Sequence, residues 1–140
     1  MIRGAAVVGL LFAGRANATE LLVHVAPVVG SVGMLRLAVC TEREYPSQRC
    51  AIRARVPAQA GAMTIGIEGV PPGRYAVLAH HDRRDRGEVA TNWLGIPVEG
   101  VGVSRNATGF LGRPDFADVA VDIGGERVTL DIHLRQEPDR

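Results

Sequence analysis

Short runs of two-residue alternation, each ended by glycine or proline, constrain this chain more than any other feature. In Glu20 to Ala26, Leu21, Val23 and Val25 fall in one phase and Leu22 and His24 in the other. Leu35, Leu37 and Val39 alternate with Arg36; Ile52, Ala54 and Val56 with Arg53 and Arg55; Met63, Ile65 and Ile67 with Thr64, Gly66 and Glu68. Tyr75 to His81 is apolar in both phases, as a central strand would be. Val119, Val121 and Ile123 oppose Asp118 and Asp122, and Val128, Leu130, Ile132 and Leu134 oppose Arg127, Asp131, His133 and Arg135. Successive side chains of a strand point to opposite faces, so the pattern predicts seven strands, most with one buried face.

The breaks between runs carry turn chemistry: Val29-Gly30-Ser31-Val32-Gly33, Ala60-Gly61, Pro71-Pro72-Gly73 and Gly124-Gly125. Gly124-Gly125 reads as a two-residue hairpin joining the last two strands, because both glycines can take positive φ. No later window sustains a helical stripe, and crossover helices have no room. The expected fold is an all-β, seven-stranded antiparallel sandwich with a core of Val, Leu, Ile and Ala.

Residues 1–18 read as a signal peptide: Arg3, an apolar run from Ala5 to Ala13, and the small-x-small site Ala16-Asn17-Ala18. That run is shorter than the roughly 20 apolar residues a membrane span needs. The expected mature chain, Thr19 to Arg140, is one domain that is periplasmic or secreted. Its 14 arginines face 15 acidic residues, so no basic excess recruits nucleic acid or anionic lipid. Cys40 and Cys50 are the only cysteines and are expected to form a disulfide in that compartment. Closing so short a ring contributes about 2.5–3 kcal/mol by loop entropy.

One segment exceeds what a scaffold of short strands needs. The Gly-rich stretch from Asp82 to Pro114 reads as one long loop, and connections of that length are functional or disordered. Trp93, Ile96, Phe110 and Leu111 within it argue for a loop packed on the body, with Trp93 as a plug.

At Val70 to Asp82 and beyond, the chain resembles a known family. The Pro-Pro-Gly-x-Tyr-Ala-Val strand, the His81-Asp82 pair, Gly95-Ile96-Pro97-x-Glu99-Gly100, Gly102-Val103-Ser104-x-Asn106 and Gly112-x-Pro114-x-Phe116 are similar to the bacterial exported domain of unknown function 2141. That resemblance covers about Leu21 to Leu134. It implies a transthyretin-like or carboxypeptidase-regulatory-like sandwich and transfers no reaction. The family's loop, His-Asp-x-Asn-x-Asn-Gly-x-x-Asp, is similar to a calcium loop. Here Arg84, Arg86 and Ala90 replace three of its oxygen-bearing residues, and a guanidinium cannot ligate a cation. Only Asp82, Asp85 and Glu88 remain as oxygen ligands, so no metal or other cofactor is expected.

The candidate recognition set is His81, Asp82, Arg84, Arg86, Trp93 and Glu99. Asp82 is expected to order the loop by pairing with Arg84 or Arg86; the alternatives are anion capture by Arg83, Arg84 and Arg86, and residual metal binding in a degenerate calcium loop by Asp82, Asp85 and Glu88. His80 and His81, adjacent on a strand, must face opposite ways and cannot share an ion. Ser104 lacks a nucleophile-elbow context, Gly100-x-Gly102 opens no helix for a phosphate, and Asn106-Ala107-Thr108 is a sequon with no glycan expected. Transthyretin-like hydrolases carry a C-terminal Tyr-Arg-Gly-Ser that the tail from Gln136 to Arg140 lacks. Sandwich dioxygenases hold iron with two Tyr and two His, for which Tyr45, Tyr75, His80 and His81 are the available pool. The favoured reading is a non-enzymatic module that binds an envelope protein, a peptide or a polysaccharide through its long loop.

Overall fold

The computed structural model describes residues 17–47, 49–89, 99–107 and 113–135. Residues 1–16 of the signal segment, Trp93, Ile96, Phe110 and Leu111 lie outside these residues.

Two sheets pack face to face. One has strand order β4-β1-β8, built from β1 (Thr19–Val28), β4 (Gly61–Val70) and β8 (Arg127–His133). The other has order β3-β2-β5-β6, from β2 (Met34–Cys40), β3 (Ile52–Pro57), β5 (Gly73–Asp82) and β6 (Val101–Val103), with β7 (Val121–Ile123) pairing β5 at Gly73 to Tyr75. Register puts like phases together: Leu21, Val23 and Val25 lie opposite Ile67, Ile65 and Met63 on β4 and opposite Val128, Leu130 and Ile132 on β8. Leu35, Leu37 and Val39 lie between Val56, Ala54 and Ile52 on β3 and His81, Ala79 and Val77 on β5. These rows meet in one core in which Leu21, Val23, Val25, Val39 and Val77 are fully buried. Each such aliphatic side chain contributes about 1.5–3 kcal/mol of burial.

The all-β sandwich expectation holds, with several differences in detail. The described residues form eight strands, because β6 lies inside the stretch read as one loop; its three residues, with Gly102 in the middle, are too few to show a period. Gly102 fits there because a Cβ would come 2.6 Å from the His133 carbonyl oxygen and from Ile132 Cγ2. Gly124-Gly125 does not close a hairpin. It carries the chain from β7 in one sheet to β8 in the other, with positive φ at Gly125 alone. The sheets are mostly antiparallel, but β8 runs parallel to β1. Val119 ends a one-turn helix, α1 (Phe116–Val119), and a 3-10 turn spans Ser104–Asn106.

A second, smaller apolar cluster sits on the far side of the five-stranded sheet, where Cys40 and Ala76 meet Tyr45, Cys50 and Val119. The Cys40–Cys50 disulfide is formed and holds the 41–50 connection there. Tyr45 donates its hydroxyl to the Pro114 carbonyl at 2.7 Å and packs edge-on against Phe116. Beneath, the buried Ser104 hydroxyl donates to the Val119 carbonyl at 2.6 Å and accepts the Val77 N–H at 3.0 Å. This cluster covers one end of the sheet's outer face and leaves the other end for polar chemistry.

Candidate functional site

Alternation along β5 decides where its last residues point. Tyr75, Val77 and Ala79 belong to the main core, so His81 also faces inward, whereas His80 and Asp82 share the outer face. His81 is buried, and its Nε2 lies 2.8 Å from the Val32 carbonyl, tying the β1–β2 connection to the sandwich end. With Nε2–H donating there, Nδ1 has no hydrogen-bond partner among the described residues. Gly33 lets that connection approach: at φ +82° it packs so closely that a Cβ would collide with the backbone of Asp82 and Arg83.

On the outer face, Asp82 is fully buried yet ionised. Its Oδ2 accepts Arg36 Nε at 2.8 Å and the Gly87 N–H at 2.7 Å, and its Oδ1 accepts the Arg86 N–H at 3.0 Å. Burial alone would raise its pKa. The Gly87 and Arg86 amides, the Arg36 guanidinium and the charge of His80 outweigh that and bring it to about 2. Arg36 also donates to Asp85 at 2.7 Å, and Asp85 accepts from Arg55 as well. Arg36 and Arg55 lie directly opposite each other on β2 and β3. Like charges so placed repel, and the shared Asp85 carboxylate offsets that repulsion.

Glu99 closes the other side. It is 3% exposed, its Oε1 lies 3.0 Å from His80 Nε2, and its Oε2 accepts the Arg83 N–H at 2.9 Å. One residue on, the Gly100 carbonyl accepts the His81 N–H at 2.8 Å. Asp82 and Glu99 therefore fasten the two ends of the segment between β5 and β6 to the same spot. Beside them a groove of about 910 Å³ opens on the outer face, lined by Arg36, Arg49, Arg53, Arg55, Leu78, His80 and Glu88 among others.

The expected site residues thus separate. Asp82 and Glu99 come together, and the ordering partner of Asp82 is Arg36 plus two amides; Arg86 contributes its backbone N–H, and Arg84 is exposed. His81 faces the core, and Trp93 lies outside the described residues. Of Asp82, Asp85 and Glu88, Asp85 faces two arginines and Glu88 lines the groove. His80, Asp82 and Glu99 instead bring one ligand atom each within 4.8 Å of one another. Arg36 and three backbone N–H groups already occupy those carboxylates, an environment that opposes a cation. The Tyr45, Tyr75, His80 and His81 pool does not converge: Tyr75 donates to Pro71 within the main core, Tyr45 belongs to the outer cluster, and the two histidines face opposite ways. Arg36, Arg55 and His80 carry the site without having been singled out for it. Their signal was polar phase in otherwise apolar strands.

Fold and site together define a disulfide-bonded β-sandwich with an elaborated, tied connection between two neighbouring strands. The family profile described as "Uncharacterized protein conserved in bacteria (DUF2141)" matches residues 23–131, and the chain belongs to that family. No curated protein and no solved structure matches it.

Proposed function

We propose that the protein is an exported, non-enzymatic binding module of the bacterial envelope, with its working surface on the outer face of the five-stranded sheet around the neck of the β5–β6 connection. One observation carries this reading. β5 and β6 are antiparallel neighbours, with His80 opposite Val101, and a turn of two to five residues would join such a pair. Eighteen residues, 83–100, intervene. Two buried carboxylates are committed to holding the ends of that segment, an arrangement that strand pairing does not require and that a surface for meeting other molecules does.

The disulfide suits an oxidising compartment and supports export. Pull-down from native envelope extracts tests the proposal, comparing the intact protein with a variant in which residues 87–98 are replaced by an Asn-Gly turn. Loss of specific partners is expected. Recovery of every partner by the shortened protein, with its fold intact by circular dichroism, would overturn the assignment.

A cation-binding reading has one observation in its favour, the approach of His80, Asp82 and Glu99 within 4.8 Å. Arg36 at 2.8 Å from Asp82 weighs against it, since a cation would have to displace a guanidinium.

A further inference from the structure

We infer that the arginine-lined groove takes an extended acidic peptide, laid along the free edge of β3 with one of its carboxylates on Arg53. This rests on the binding-module reading and names the chemistry of the partner.

Charge selects the sign of the ligand. Between residues 36 and 86 the chain carries nine arginines against five acids, whereas residues 87–135 carry four against seven. Four of those nine arginines line the groove, opposed there by Glu88 alone among the lining residues. Two of the four are already engaged: Arg36 with Asp82 and Asp85, and Arg55 with Asp85. The Arg53 guanidinium has no ion pair among the described residues. A guanidinium presents a planar fork that fits a carboxylate through two parallel N–H bonds.

Strand geometry selects the form of the ligand. β3 ends the order β3-β2-β5-β6, so its outer edge offers backbone donors and acceptors to an added strand among the described residues. Ile52, Ala54 and Val56 face the core, so Arg53 and Arg55 share the outer face, one pleat repeat apart. Alternate side chains of an extended peptide repeat at the same interval of about 6.8 Å. An arginine edge ordinarily deters strand addition, and a second copy of β3 paired antiparallel would set Arg53 against Arg55. The same charges admit an acidic strand. The described lining holds no Phe, Tyr or Trp ring on which a sugar could stack.

The test is fluorescence anisotropy with a labelled octapeptide alternating glutamate and valine, against glutamine–valine and lysine–valine versions and against an oligogalacturonate of equal charge. Saturable binding of the glutamate peptide is expected, weakened about tenfold or more by Arg53→Gln and by raising salt from 50 to 200 mM. Hydrogen exchange should show β3 amides becoming protected when the peptide binds, which charge attraction alone would not produce. Arg53 is exposed, so Arg53→Gln should keep the native circular dichroism spectrum. Equal binding of the glutamine peptide, binding of the oligogalacturonate alone, or binding without β3 protection would each overturn the inference. Those outcomes leave the module reading standing if shortening residues 87–98 still removes partners; retention of every partner would remove that reading instead.

Discussion

Arg36 and Asp82 meet on a diagonal of the β2–β5 ladder. Register sets Arg36 opposite His80 and Met34 opposite Asp82, yet Arg36 Nε reaches Asp82 Oδ2 at 2.8 Å. The bond crosses from the middle of one strand to the last residue of the next, where the chain leaves the sheet. It anchors the start of the β5–β6 connection to the body of the sandwich.

Removing the charge on Asp82 should therefore cost more than a surface substitution. Asp82→Asn keeps the shape but weakens three charge-assisted bonds around a buried group, and a loss of about 2–3 kcal/mol is expected from urea unfolding. Arg36→Gln, at a partly exposed position, should cost less, about 1 kcal/mol.

Acid should expose the same group. The Asp82 carboxyl sits at about 2 in the fold against an ordinary 3.8. A depressed folded pKa contributes stability that is complete above the unfolded value and disappears as pH falls through 3.8 towards 2. The contribution is about 2 kcal/mol. Unfolding free energy measured between pH 6 and pH 2 should fall by that amount more in the intact protein than in Asp82→Asn. Parallel curves for the two would contradict the assignment.

Reducing the Cys40–Cys50 bond, or replacing both cysteines by serine, should cost about 2.5–3 kcal/mol and lower the thermal midpoint. Tyr45 fluorescence should report the loss first, because its ring packs in the cluster that the disulfide holds.

Calcium titrated calorimetrically into the protein should give no saturable heat. Arg36 and the amides of Arg83, Arg86 and Gly87 occupy the carboxylates that a cation would need. Saturable heat that Asp82→Ala abolishes would establish the cation-binding reading.

What could be read from the sequence follows from periodicity. Leu21, Leu35 and Ile65 announce their buried phase through neighbours two residues away, so the layers and the core were legible. The same rule correctly sent His80 and His81 to opposite faces. It could not show that Arg36, forty-six positions from Asp82, would be its partner, because a diagonal contact depends on strand order and register. The adjacent Arg84 and Arg86 looked suitable by proximity, but the turn presents the Arg86 backbone, not its guanidinium, to Asp82. Val119 kept the phase of a strand while ending a one-turn helix, since four residues cannot distinguish the two periods.

The claim that two buried carboxylates hold the neck is tested most directly by hydrogen exchange at the amides of Arg83, Arg86 and Gly87. In the intact protein these three should exchange far more slowly than exposed loop amides. Glu99→Gln should speed Arg83, and Asp82→Asn should speed Arg86 and Gly87. Exchange of all three at the rate of an unstructured peptide in the unmodified protein would contradict it.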